Sequence, residues 1–156
     1  MKQVWRTGAS MLARVAGAGG DRRPGEFWGG DPSVGGSHGR PGNPELDLDY
    51  LRRQTFGDPE LEYELLSLFD EQAAQILARL AAPFVEGEAP RRAEVAHALK
   101  GSALAIGAVA TARAAGEYEA ALRDAPAEAE AYRADLARTI EAARRAVASR
   151  RRALRK

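Results

Sequence analysis

One histidine lies in a segment whose neighbouring residues favour group-transfer chemistry. The segment reads His97-Ala98-Leu99-Lys100-Gly101-Ser102. An exposed imidazole is substantially neutral near pH 7, and the neutral ring is a nucleophile that can carry a covalent group. On a helix, Lys100 can reach the same surface as His97, and its ammonium would stabilise negative charge on a transferring phosphoryl oxygen. Gly101 costs about 1 kcal/mol relative to alanine in a helix interior, and its missing side chain would let another protein's backbone approach.

The helical period predicts which way this segment faces. At about 100° per residue, a core face collects Val95, Leu99, Ser102, Ala103 and Ile106, with Ala98 at its edge. His97 lies nearly opposite Leu99 and is therefore predicted to point outward. The outer face around it is predicted to contain Ala93, Glu94, Lys100, Gly101 and Leu104. Because exposed apolar side chains often mark a binding surface, we expect Ala93, Glu94 and Leu104 to border a partner-docking site.

The rest of the chain from residue 46 onward predicts an all-α fold. A short helix is expected over about 46 to 54, and Asp58 and Pro59 fit the N-cap and first position of a long helix. Further helices are expected over about 90 to 106, over about 108 to 124, and from Pro126 onward. Apolar residues recur at steps of three and four, and on the last helix this stripe is Tyr132, Leu136, Ile140, Ala143 and Val147. Four amphipathic helices with short loops predict an antiparallel four-helix bundle preceded by a short helix.

Composition divides the chain into three parts. Residues 1–44 hold 11 of the 16 glycines together with four prolines, so they are predicted to form a disordered leader in which His38 is inert. Residues 45–150 are predicted to form the bundle, and residues 151–156 a basic tail. Residues 45–75 are acidic, whereas the chain end from Arg144 to Lys156 is basic. A basic end can bind nucleic acid, but we favour a solvated helix end whose cations suit the helix dipole.

Composition also limits the compartment and the chemistry. There is no cysteine, which excludes disulfides and thiolate sites and fits a reducing compartment. No stretch has the ~20 apolar residues of a membrane span, and the N-terminus lacks the apolar run of a secretory signal. A cytoplasmic protein without membrane contact is therefore expected.

The histidine segment resembles the signature of histidine-containing phosphotransfer (HPt) domains. In that family the phosphorylated histidine is followed by leucine-lysine-glycine-serine and then by a glycine. The matching residues here are His97, Leu99, Lys100, Gly101, Ser102 and Gly107. The resemblance spans about residues 46–124 and implies a four-helix bundle with an exposed histidine on a central helix.

The resemblance also implies roles for single residues. His97 would accept a phosphoryl group from a receiver-domain aspartate and pass it to another receiver domain. Lys100 would steady the phosphohistidine, and Gly101 would leave room for the partner. Glu119 is the candidate for a residue that orients the imidazole, although an ordinary surface carboxylate remains an open alternative.

The implied protein is a phosphocarrier rather than an enzyme, because no ATP-binding kinase motif occurs in the sequence. Its partners would be the receiver domains of hybrid histidine kinases and response regulators. It would need no cofactor of its own, since the Mg²⁺ used in transfer would belong to the receiver. We expect a stand-alone monomer.

Two other functions are weighed against this one. The first is a helical interaction module in which His97 is incidental. The second is a nucleic-acid-binding protein that uses Arg144 to Lys156, although this end lacks the interleaved aromatic residues of a stacking platform. A metal site is not expected because the only other histidine is His38.

Overall fold

A computed structural model describes residues 45–85 and 87–156, and this part of the chain is helical without strands. The elements are α1 (Leu48–Gln54), α2 (Pro59–Ala81), α3 (Ala89–Ala105), α4 (Val109–Asp124), a 3₁₀ turn (Pro126–Glu128) and α5 (Ala129–Leu154). The all-α prediction is confirmed, and the predicted leader 1–44 lies outside the described residues. None of the helices in the described ranges combines the length and apolar character needed to cross a membrane.

The four long helices form a closed bundle. Contacts join α2 to α3, α3 to α4, α4 to α5, and α5 back to α2. Because the connections are short, consecutive helices run antiparallel. The core is built from leucine, isoleucine and many alanines, with Phe69 as its largest fully buried side chain. The small alanines let the helices approach closely.

The predicted helix starts agree with the structure to within a few residues. The Asp58 side chain accepts hydrogen bonds from the Glu60 and Leu61 amides at 2.9 and 3.3 Å, and Pro59 takes the first helical position. Asp47 caps α1 in the same way, accepting from the Tyr50 amide at 2.8 Å. These carboxylates satisfy amide groups that have no partner within the helix.

One predicted core position on the last helix is wrong. Tyr132 is 39% exposed, whereas Leu136, Ile140, Ala143 and Val147 are buried as expected. The buried stripe begins with Ala129, seven residues before Leu136, so Tyr132 lies beside the stripe at the start of α5. The 3₁₀ turn at Pro126–Glu128 directly precedes this helix, so Tyr132 lies in its first turn.

Gly107 attaches α1 to the end of α3. The Asp47 amide donates to the Gly107 carbonyl at 3.0 Å. Gly107 has a φ of +78°, and a Cβ there would lie 3.0 Å from the Asp47 carbonyl oxygen and 3.2 Å from the Tyr50 ring. A glycine is therefore required by both conformation and space. This contact fixes α1 beside the helix that carries His97.

Ion pairs join the basic end of α5 to the acidic face of α2. Arg150 binds Glu62, whose side chain is 3% exposed, with 3.0 Å between Arg150 Nη2 and Glu62 Oε2. Arg144 Nε donates to Asp70 Oδ1 at 2.7 Å, and Arg151 Nη1 lies 3.4 Å from Asp70 Oδ2. The hydrogen bonds to Glu62 raise the pKa of Arg150, although partial burial opposes them.

The structure of α5 differs from two expectations about the chain end. Helix α5 continues to Leu154, so residues 151–156 are not a separate tail beginning at 151. The solvated-end interpretation is wrong for Arg150, whose side chain is only 17% exposed. The reason is that the acidic and basic regions of the sequence neutralise each other across the α2–α5 interface. The arginines available for a nucleic-acid surface are correspondingly fewer.

Candidate functional site

His97 lies on the exposed side of α3, as the helical period predicts. Its side chain is 68% exposed, while Leu99 and Ala96 on the same helix are buried. Ser102, Ala103 and Ile106 are also buried, and Val95 is partly buried against the core. The buried face of α3 packs against α2 and α4, so the imidazole on the opposite face is exposed to solvent.

Glu119 of α4 holds the inner nitrogen of this imidazole. Its Oε1 lies 2.9 Å from His97 Nδ1, and its side chain is 6% exposed. The surface-carboxylate alternative is therefore wrong. An ionised carboxylate can only accept, so we assign the proton to Nδ1. In that tautomer the exposed Nε2 carries the lone pair and is the nucleophilic nitrogen.

Arg123 is a site residue that the sequence analysis missed. Its Nη2 lies 2.8 Å from the same Glu119 Oε1 that contacts the imidazole. The guanidinium balances a carboxylate that is almost fully buried beside a neutral ring. The four-residue spacing of Glu119 and Arg123 is a usable signal, but only once Glu119 is known to face α3.

Lys100 extends across α4 at Gly116, which the sequence analysis also missed. A Cβ built on Gly116 would lie 3.6 Å from Lys100 Cδ and 3.7 Å from both Cε and Nζ. Gly116 precedes Glu119 by three residues, which places it on the adjacent turn of α4. The lysine ammonium is thus held on the same side of α4 as the residue that contacts His97.

The other predicted site residues divide into exposed and buried ones. Gly101 is exposed, and a Cβ there would meet no atom within 4 Å. Glu94 is exposed, and Leu104 is 43% exposed. The placement of Ala93 on the docking surface is wrong, because Ala93 is 3% exposed. Helix α3 packs against both α2 and α4, so its buried face is wider than one stripe and includes Ala93.

His97 lies on an open surface rather than in a cavity. A cleft of about 200 Å³ opens between the end of α2 and the start of α3, but His97 does not line it. Its lining includes the ion pair of Glu88 and Arg92, whose Oε2 and Nη2 atoms are 3.3 Å apart. Within residues 45–85 and 87–156, no three acidic or histidine side chains are grouped to hold a metal ion.

The fold and the site together define a class: a small helical bundle that presents one accessible histidine, oriented by a carboxylate, beside a lysine and a glycine. Comparison with protein families is consistent with that class. The model of the Hpt domain family matches residues 64–148, more than half of the chain. The chain therefore belongs to the Hpt domain family.

Membership of this family makes the chain a phosphotransfer module of two-component signalling. Hpt domains are phosphocarriers and interact with receiver domains. Neither the curated proteins nor the solved structures contain a match to the chain.

Proposed function

We propose that this protein is a phosphorelay intermediate that moves a phosphoryl group between two receiver domains through His97. The observation that carries the proposal is the contact of His97 Nδ1 with the buried Glu119 carboxylate at 2.9 Å, which leaves Nε2 exposed. An orienting group on one ring nitrogen and open access to the other is the arrangement that a nucleophilic imidazole needs.

The proposed step conserves atoms and charge. The lone pair of His97 Nε2 attacks the phosphorus of a receiver's aspartyl phosphate, forming an N–P bond while the P–O bond to the aspartate breaks. The aspartate leaves as a carboxylate, and the ring becomes a phosphoimidazolium that keeps its proton on Nδ1. The reverse attack by the aspartate of a second receiver returns a neutral ring.

The surrounding residues support this step electrostatically. Glu119 accepts the Nδ1 hydrogen bond and stabilises positive charge on the phosphorylated ring, while Arg123 keeps the carboxylate balanced when the ring is neutral. Lys100 stabilises the phosphoryl oxygens. The Mg²⁺ needed for transfer belongs to the receiver, so this chain requires no cofactor of its own.

The proposed partners are receiver domains of hybrid histidine kinases and of response regulators. The docking surface surrounds His97 and includes Glu94, Gly101 and Leu104, all of which are exposed. Leu104 supplies apolar area that a partner can cover. We further propose that the protein acts as a cytoplasmic monomer.

The decisive test is phosphoryl uptake by His97→Gln from a phosphorylated receiver domain. Uptake should be abolished, while helicity and the melting midpoint should stay unchanged because the side chain is mostly exposed. In the wild type the label should be acid-labile and alkali-stable, as an N–P bond is. Full phosphorylation of His97→Gln, or an alkali-labile label, would exclude the proposal.

The variant Lys100→Ala tests whether the lysine ammonium accelerates the transfer without being indispensable to it, as the His97 nucleophile is. Uptake should remain measurable but slower. Loss of one charge-stabilising donor costs about 3 to 4 kcal/mol in a closed active site, and solvent screening should make the loss smaller at this open surface. If Lys100→Ala takes up phosphoryl at the wild-type rate, Lys100 has no role in the transfer.

A further inference from the structure

Gly116 occupies the middle of α4 without a conformational reason to be glycine. It lies within Val109–Asp124 and has no positive φ. Glycine in a helix interior is destabilising relative to alanine. The closest side chain to its missing Cβ is that of Lys100, at 3.6 to 3.7 Å. The lysine stem therefore lies directly over the bare backbone of α4.

The Lys100 ammonium has no carboxylate partner among residues 45–85 and 87–156. The two acidic residues closest in sequence to Gly116 on α4 already have arginine partners. Glu117 pairs with Arg113 at 3.1 Å, and Glu119 pairs with Arg123 at 2.8 Å. The position of the ammonium is thus set by packing of the lysine stem rather than by an ion pair, and its charge remains available.

We propose that Gly116 is a positioning residue for Lys100. The lack of a large side chain there leaves room for the lysine to cross α4, so that its ammonium lies on the side where Glu119 meets His97. This inference rests on the proposed function of His97, because the ammonium matters only if His97 carries a phosphoryl group. Gly116 itself contacts no reacting atom.

Side-chain size at position 116 should decide the outcome. Gly116→Ala should be tolerated, since its Cβ would make ordinary van der Waals contacts with Lys100. Gly116→Leu would occupy the volume of the lysine stem and displace the ammonium. We expect Gly116→Leu to slow phosphoryl uptake by roughly three- to tenfold, which is the lower part of the coupling range for contacting residues.

A double-mutant cycle with Lys100→Ala tests this mechanism. Gly116→Leu should slow uptake when Lys100 is present and should have little further effect in the Lys100→Ala background. Ala134→Leu on the exposed face of α5 is the matched control for adding the same side chain, and it should leave uptake unchanged. The hydrolysis rate of the isolated phosphorylated protein is expected to change in Lys100→Ala, and it should change in the same direction in Gly116→Leu. This readout involves no docked partner.

A direct structural readout accompanies the kinetics. In the wild type, nuclear Overhauser contacts should join the Lys100 side-chain protons to the Gly116 Hα protons, and Gly116→Leu should abolish the ordered lysine position. Equal slowing by Gly116→Leu with and without Lys100 would overturn the inference, because the leucine would then be blocking the partner. Absence of the wild-type contacts would overturn it as well. In either case His97 would still take up phosphoryl, so the proposed function would stand.

Discussion

At the scale of single residues, the contact between His97 and Glu119 decides which imidazole nitrogen reacts in the proposed mechanism. In the assigned tautomer the carboxylate accepts a hydrogen bond from Nδ1, and it also pairs with Arg123. The ring is therefore oriented by α4, although its exposure is set by α3. One prediction at this scale concerns the orientation of the imidazole, and another concerns the approach of the partner protein.

Substitution of Glu119 tests orientation. Glu119→Gln keeps an oxygen that can accept from Nδ1 and should retain phosphoryl uptake at a reduced rate, because it no longer offsets positive charge on the ring. Glu119→Ala removes the acceptor and should be slower than Glu119→Gln. Nitrogen chemical shifts of His97 should show a mixture of tautomers in Glu119→Ala only. If Glu119→Ala keeps the wild-type rate and tautomer, the carboxylate has no role in orientation.

Substitution of Gly101 tests access. Because a Cβ at this position meets open space, Gly101→Ala should raise the free energy of unfolding by up to about 1 kcal/mol. Gly101→Gln should keep a melting midpoint at least as high as that of the wild type but slow transfer by obstructing the approach of the receiver. Kinetics with a phosphorylated receiver and thermal melts would measure the two effects. Wild-type transfer in Gly101→Gln would show that the partner does not approach here.

At the scale of helices, a buried ion pair contributes to the packing of α2 against α5. Glu62 has only 3% side-chain exposure and is neutralised by Arg150. This pair couples the start of α2 to the end of α5, so it links residues that are far apart in the chain.

Breaking this ion pair should lower the free energy of unfolding, whereas replacing both partners with apolar residues should change it little. Arg150→Met leaves an uncompensated buried carboxylate and should lower the free energy of unfolding by about 3 kcal/mol. Adding Glu62→Leu should recover most of that loss, because apolar residues can replace a buried pair at little cost. Denaturant titrations of both variants measure this, and Arg138→Met, at an exposed position on α5, is a control that should stay near wild type. A larger loss in the double variant than in Arg150→Met would contradict this account.

At the scale of the whole molecule, the described helices close around one core. Leu46 and Leu51 belong to that core at 1% and 0% exposure, and the Asp47 amide binds the Gly107 carbonyl at 3.0 Å. The boundary of the folded unit should therefore lie just before residue 46.

Two truncations locate this boundary. A chain that starts at Pro44 should keep its melting midpoint and its phosphoryl uptake. A chain that starts at Asp58 loses α1 and two buried leucines, each contributing about 1.5 to 3 kcal/mol, and should melt at a clearly lower temperature. Melts of both chains and uptake assays test the boundary. A large loss in the chain from Pro44 would show that residues 1–43 contribute to the bundle.

Local sequence determined much of the fold and the central feature of the site. The start of α2 follows from Asp58 and Pro59, and that of α1 from Asp47, since a cap acts within one turn of its own position. The outward direction of His97 follows from the period of α3, because side-chain direction along one helix depends only on spacing in the chain. The resemblance of the histidine segment to HPt domains uses the same local information.

Tertiary structure decided which residues meet that histidine. Glu119 lies on another helix, and its burial, its bond to Nδ1 and its pairing with Arg123 depend on how α4 is rotated against α3. The passage of Lys100 over Gly116 depends on the same rotation. The burial of Ala93 depends on α3 having two packed neighbours. Periodicity within one helix gives a face but not the register or rotation of the helix opposite, because these are set by the packing of side chains from distant parts of the chain.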